Sequence, residues 1–162
     1  MRTWLFPGSF DPPTYAHLDV ATRGAALCDR LYIGIGINST KAHLLSPEQR
    51  QQVWEQLLRE AGLSDRTEVR IYENATAHFA HSLECKVILR GLRGERDWPW
   101  EAGVASVHAS QQLETVYLGT DPRWSNLSSS LVREVHRAGL PLADFVPEAV
   151  VQALHVANAA QS

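Results

Sequence analysis

The sequence predicts an α/β protein: a three-layer sandwich built on a five-stranded, mainly parallel sheet. Three observations lead there. Short runs rich in β-branched and aromatic residues alternate with longer segments of helical periodicity. Turn-forming residues such as Pro7-Gly8 and Asp11-Pro12-Pro13 gather just after apolar runs. With 162 residues, 44% of them hydrophobic, the chain is long enough to bury a sizeable core without disulfide or metal. A single domain over 1–162 is expected, with a frayed tail after about residue 158.

The elements follow in order. Strands are expected at Arg2–Phe6, Arg30–Ile37, Thr67–Tyr72, Lys86–Leu89 and Glu114–Leu118. Helical spacing covers Tyr15–Leu27, Pro47–Ala61 and Trp98–Gln111. Ser46-Pro47-Glu48-Gln49 is a helix start, with Ser46 to cap, Pro47 at the first helical position and Gln49 to complete a capping box. Ser128–Ala138 is a further helix that Gly139 ends, and Pro147–Ala157 is the last. Alternation of this kind requires right-handed crossovers, hence a Rossmann-like arrangement. Ligands then bind beyond the carboxyl ends of the strands, where the strand order reverses. Pro7–His17, Asn38–Lys41, Arg90–Asp97 and Gly119–Ser130 all follow strands, so their polar, Gly-rich and basic groups converge on one edge.

The bulk numbers exclude some functions. A net charge of -3 argues against a nucleic-acid-coating protein, while leaving room for a local Arg/Lys cluster that serves one phosphorylated ligand. No stretch approaches a membrane span, and the start MRTWLFPG is too short an apolar run for a signal peptide. A soluble, cytoplasmic protein is expected. The two cysteines, Cys28 and Cys85, form no CxxC pattern and read as reduced, semi-buried thiols.

Three segments carry candidate chemistry. In FPGSFDPPTYAHL, Pro7-Gly8 turns the chain out of the first strand, Gly8 admits a ligand close to the backbone, and the amides of Ser9 and Phe10 can face a phosphate. Thr14 and His17 share one face of a helix start whose dipole favours anions. The same residues also suit a plain strand–turn–helix connection with a capping Asp11 or Thr14 and a surface His17. In VILRGLRGERD, Arg90 and Arg93 flank Gly91, offering planar donor forks with room for a phosphate, or else pairing with Glu95 or Asp97. In WSNLSSSLVREV, capping needs one serine and the chain supplies three, so the surplus points to ligand binding. Gly34 and Gly36 lack the third glycine of a dinucleotide fingerprint. His78 and His81 lack a third zinc ligand nearby, and His43, His136 and His155 read as ordinary surface or helix residues.

Order and spacing make the set specific. PGSFDPPTYAH, then STK, LRGLRGERDWPWE and WSNLSSSLVREV resemble the bacterial phosphopantetheine adenylyltransferase family, over nearly the whole chain. The resemblance implies transfer of AMP from ATP to 4'-phosphopantetheine with Mg²⁺, giving dephospho-coenzyme A and pyrophosphate, and a homohexamer. It implies that His17 and Thr14 are the motif pair, with Lys41 and Arg90 completing the catalytic set. For ATP it implies Ser9, Phe10, His17, Gly91, Arg93, Glu101 and the run Trp124, Ser125, Asn126, Leu127, Ser128, Ser129 and Ser130. For the acceptor it implies Ser9, Lys41, Thr76, Arg90 and His108. No protein metal ligands are implied, since phosphate-bound Mg²⁺ keeps several waters. In-line attack by an anionic phosphate needs no protein nucleophile, only positioning and charge relief.

The chain departs from the family pattern mainly on the acceptor side. Ala16 stands where the [HT]xGH motif has glycine. Ala75 and Thr76 replace bulky apolar residues, Val107-His108-Ala109 replaces Met-Asn-Arg, and Trp98-Pro99-Trp100 replaces an acidic-aromatic stretch. Two other readings therefore stand beside the first. One keeps the chemistry with another phosphorylated acceptor, such as a pyridine mononucleotide; the other is a nucleotide-binding regulator without catalysis.

Overall fold

The computed structural model describes residues 1–37 and 42–159. Five strands, β1 (Thr3–Gly8), β2 (Arg30–Gly36), β3 (Thr67–Tyr72), β4 (Val87–Leu92) and β5 (Glu114–Gly119), form one sheet in the order β3-β2-β1-β4-β5. Every ladder is parallel. The helices are α1 (Tyr15–Leu27), α2 (Pro47–Glu60), α3 (Thr76–Ser82), α4 (Trp98–Ser110), α5 (Ser129–Arg137) and α6 (Glu148–Ala159), with single 3-10 turns at Glu95–Asp97 and Pro122–Trp124.

The strand order dictates the layers. From β1 to β3 the chain steps one way along the sheet, and from β3 to β5 it steps back the other way. Right-handed crossovers therefore put α1 and α2 on one face and α3 and α4 on the other. The alternation of side chains along each strand matches. Phe6, Leu31, Ile33 and Leu89 pack with α1, α2, α5 and α6, whereas Leu5 and Ile88 pack with Ala77, Phe79 and Ala80 of α3.

Local signals behave as their chemistry requires. Ser46 accepts the Gln49 amide, the Gln49 side chain reciprocates, and Pro47 occupies the first turn of α2. Gly139 ends the stretch after α5 with a φ of +68°. Two boundaries differ from expectation. Pro7 and Gly8 remain in β1, paired with Gly34 and Ile35, so the turn begins only at Ser9. β1 pairs with β4 at Trp4 and Leu5 alone, and a proline beyond that point has no N–H to leave unpaired. Likewise Arg90 and Gly91 lie in β4, not in a loop, because β5 stays paired with it as far as Leu92 and Gly119. Helix α3 had no sequence assignment: it is seven residues long and its cap, Ala75, makes no side-chain hydrogen bond. Both cysteines are free and buried. Among the described residues no helix is long and apolar enough to cross a membrane. The expected frayed tail lies largely outside the described residues.

Candidate active site

Where β1 and β4 part beyond Leu5 and Ile88, the strand order reverses and a crevice opens at their carboxyl ends. Two adjoining cavities fill it. The first, about 370 Å³, is walled by Pro7–Phe10, by Ala16, His17 and Val20 of α1, by Arg90 and Gly91, by Arg93, Asp97 and Glu101, and by 127–130 with Arg133. The second, about 320 Å³, runs past Gly36, Ile37, Tyr72 and 74–76. Pro7, Gly8, Ser9 and Arg90 belong to both walls. Two ligands seated here would meet at Ser9 and Arg90. A larger cavity of about 540 Å³ lies between α2 and the sheet edge at β3, but it contains none of the candidate residues, so size alone does not mark the site.

Thr14 and His17 form a reciprocal cap. The Thr14 hydroxyl accepts the His17 amide at 3.4 Å, and His17 Nδ1 accepts the Thr14 amide at 3.1 Å. An Nδ1 that accepts a backbone N–H carries no proton, so in the neutral ring the proton sits on Nε2. Burial, followed by the charges of Arg93 and Arg90, pulls the His17 pKa down to about 4. At neutral pH the ring is thus an uncharged donor through Nε2–H. The ring of Phe10 packs edge-on against it, with centroids 5.2 Å apart.

The arginines are already oriented. Arg90 forks onto the buried Glu101, with Nε to Oε2 at 2.8 Å and Nη2 to Oε1 at 2.5 Å. The Glu101 carbonyl in turn accepts the Tyr117 hydroxyl at 2.8 Å. Arg93 forks onto Asp97 in the same way, at 3.0 and 2.9 Å. Gly91 packs closely: a Cβ there would stand 3.0 Å from Val20 Cγ2, which would have to give by a few tenths of an ångström. Gly8 is held more closely still by its neighbour, since its Cβ would meet the Phe10 ring at 2.8 Å.

The three serines each have a partner. Ser128 caps α5 by accepting the Leu131 amide, Ser129 donates to the Pro12 carbonyl at 2.8 Å, and Ser130 accepts from Arg133 at 2.9 Å. Arg133 also donates to the Asp11 carbonyl at 2.8 Å, tying the start of α5 to the β1–α1 turn.

Of the remaining candidates, one lines the site and the others among the described residues do not. Thr76 lines the second cavity, its hydroxyl 3.0 Å from that of Tyr72. Trp124, Ser125 and Asn126 do not line either cavity; Trp124 stacks on Tyr15 at 4.9 Å instead. His108 is buried against β5, with Nδ1 2.9 Å from the Thr115 hydroxyl, and also lines neither. Lys41 lies outside the described residues. Arg133 reaches the cleft without having been singled out, whereas Asp97 is the pairing partner the sequence offered for the arginines, and it pairs with Arg93. Their signal was their spacing, four after Arg93 and three after Ser130, which puts each pair on one side of a turn. His43, expected at the surface, is mostly buried with Nδ1 3.2 Å from the Asp11 carboxylate.

A crevice at the sheet's switch point, lined by Gly8 and Gly91 and ringed by hydroxyls and guanidinium forks, suits phosphate-bearing ligands, as a nucleotidyltransferase requires. Agreement comes from a model of the cytidylyltransferase-like family, which matches residues 5–135 and so spans every residue lining the cleft. Within that class, a Caulobacter vibrioides protein named phosphopantetheine adenylyltransferase is 36% identical over 156 residues, covering 95% of this chain and 96% of its own length. One of the same name from Lachnoclostridium phytofermentans is 34% identical over 157 residues, with 96% and 94% covered. The chain belongs to the phosphopantetheine adenylyltransferase family. A Vibrio parahaemolyticus crystal structure, provisionally named a nicotinate-nucleotide adenylyltransferase, shares the fold at a TM-score of 0.71 and 13% identity, covering 95% of this chain and 92% of that one.

Proposed function

We propose that this enzyme transfers AMP from ATP to 4'-phosphopantetheine, with both substrates meeting across Ser9 and Arg90. The observation that carries the reading is the pair of cavities sharing that wall, in a chain of this family. An oxygen of the acceptor phosphate attacks the α-phosphorus of ATP. The bond to the bridging oxygen of the β-phosphate breaks, and pyrophosphate leaves with that electron pair, so dephospho-coenzyme A forms without a covalent enzyme intermediate. The acceptor phosphate is anionic near neutral pH and needs no strong base.

His17 donates its Nε2–H to an α-phosphate oxygen, where charge accumulates in the transition state. Arg90, oriented by Glu101, holds the acceptor phosphate. Arg93, Gly91 and the start of α5 hold the nucleotide, and the role of relieving charge on the reacting phosphates is assigned to Lys41 on the family resemblance alone. Thr76 lies on the acceptor side.

The donor set fits a divalent cation carried by the nucleotide. Asp97 and Glu101, the cleft carboxylates, are engaged by arginines, and among the described residues no group of three His, Cys, Asp or Glu is placed to hold a metal. Mg²⁺, when bound on the phosphates, supplies charge neutralisation there.

The same proposal includes a single domain and a homohexamer. The exposed Trp98, Trp100 and Val107 of α4 are apolar surface that a second copy could cover. Pyrophosphate release with ATP, Mg²⁺ and 4'-phosphopantetheine, abolished in His17→Ala, is the expected result. Preference for nicotinamide mononucleotide in kcat/KM would reassign the acceptor.

A further inference from the structure

Among the described residues, Arg50 is the charged side chain with the least solvent-exposed surface. It sits in the first turns of α2 with no exposed surface, yet no carboxylate is hydrogen-bonded to it. Nη1 donates to the Ser9 carbonyl at 2.6 Å and Nε to the Ser46 carbonyl at 3.3 Å, while Nη2 has no acceptor among the described residues. Burying a guanidinium this way is costly, and a well-packed apolar residue is the cheaper occupant of such a position. Its position therefore calls for a role that an apolar side chain cannot fill.

The geometry around Ser9 provides one. In a planar trans peptide the C=O and the following N–H point in opposite directions. A Ser9 carbonyl drawn back onto α2 by Arg50 turns the Phe10 N–H away from α2. Phe10 holds a φ of +47°, a left-handed conformation sparsely populated by any residue with a Cβ, and such a conformation persists only when the surroundings over-determine it. Here they do. The Phe10 ring is wedged edge-on between Phe6, His17 and Trp54, with centroids 5.0 to 5.2 Å apart. On the other side of the turn the buried Asp11 carboxylate accepts the amides of Leu44 and Leu45, both at 3.0 Å. The turn is thus braced against α2 at Ser9 and against the segment before α2 at Asp11.

We propose that Arg50 is a positioning residue for nucleotidyl transfer, which fixes the Ser9–Phe10 peptide so that the Phe10 N–H faces the substrate phosphates. This rests on the adenylyl-transfer reading for the reaction, but not for the geometry. Arg50 acts through its fork, not through its charge, because two carbonyls in different elements must be held together.

Two variants and two readouts test it. Arg50→Lys keeps the charge and cannot span both carbonyls; Arg50→Met fills the space and holds neither. Both are expected to lower kcat about tenfold or more, with KM for ATP changed less than about threefold. Amide hydrogen exchange in the 9–11 turn should quicken in both, while that of β2 stays as in the wild type. Wild-type kcat with unchanged exchange in Arg50→Met overturns the proposal. So does a wild-type Arg50→Lys beside a defective Arg50→Met, which assigns the role to charge. Should Arg50→Met fail to fold, Arg50→Lys decides alone. If the wild type does not turn over 4'-phosphopantetheine, the reaction reading fails, and the exchange experiment, which needs no substrate, still decides the role of Arg50.

Discussion

Glu101→Gln separates orientation of Arg90 from direct contact with a nucleotide. In the wild type both Glu101 oxygens are spent on Arg90, at 2.8 and 2.5 Å, and the glutamate is only 6% exposed. Removing one partner of a buried ion pair costs about 3 to 5 kcal/mol, because the other charge is left uncompensated. Glutamine retains one acceptor oxygen, so a loss near the low end, about 3 kcal/mol, is expected. For a chain of this size that is a fall in Tm of about 6 to 12 °C. The stranded Arg90 charge, however, lines both cavities, where the proposed reaction puts the acceptor phosphate. Saturating 4'-phosphopantetheine should therefore raise the Tm of the variant by more than it raises that of the wild type, while kcat/KM falls about 10- to 100-fold through lost orientation. Differential scanning fluorimetry with and without the acceptor, beside steady-state kinetics, reads all three quantities. A Tm within about 2 °C of the wild type would show that the pair contributes no net stability. A selective loss of ATP affinity, with the acceptor unaffected, would refute the orienting role and return Glu101 to the nucleotide.

His17 should stay neutral in the ligand-free protein until the pH falls to about 4, as followed by NMR of its ring protons, because burial and the two arginines oppose its charge. The unfolded chain takes that proton near 6.5, so His17 removes stability as pH falls from about 6.5 towards 4; an ordinary titration near 6.5 in the native state would contradict the assignment of a neutral donor. Chelation by EDTA should stop pyrophosphate release yet leave the Tm of the ligand-free protein unchanged, since the metal belongs to the nucleotide; a lowered Tm would reveal a protein-held ion. Gly24→Ala should lower Tm by several degrees. Alanine ordinarily favours a helix interior by about 1 kcal/mol, but a Cβ here would lie 2.3 Å from Leu89 Cδ2, so the fully buried leucine would have to shift within the core. A variant more stable than the wild type would show that the core yields.

How much of this was legible depended on the range of the interaction responsible. The Ser46 capping box, the Thr14 and Ser128 caps and the Gly139 terminus are decided within four residues, and each is written in the local sequence. Pro7-Gly8 and Arg90-Gly91 carry turn and loop chemistry, but pairing with β2 and β5 overrides it and extends both strands towards the cleft. Helix α3 lacks a capping side chain and has only seven residues, so nothing local announces it. On the site, the convergence of the segments after β1, β4 and β5 followed from topology alone; the fourth, Asn38–Lys41, lies outside the described residues. Apart from the Arg93–Asp97 pair, the partners within the site did not. Asp11 looked like a cap and is instead the buried acceptor for Leu44 and Leu45; His108 faces Thr115 and not the acceptor cavity.

The same limitation changes the charge of the site. Read linearly, Arg90, Arg93 and His17 suggest a strongly cationic cradle. Folded, Arg90 and Arg93 each carry a bidentate carboxylate, and His17 is neutral at physiological pH. Arg133, the third cleft arginine, is committed to a carbonyl and a hydroxyl, so its charge stays uncompensated while its donors are partly used. The arginines and carboxylates lining the cleft therefore leave one net positive charge to face two polyanionic substrates. Such a site orients phosphates well and neutralises them poorly. Neutralisation then has to arrive with the nucleotide's own cation, and the contribution of the described cleft residues is geometric: forks already aimed, a turn already braced, and a histidine that donates without charge.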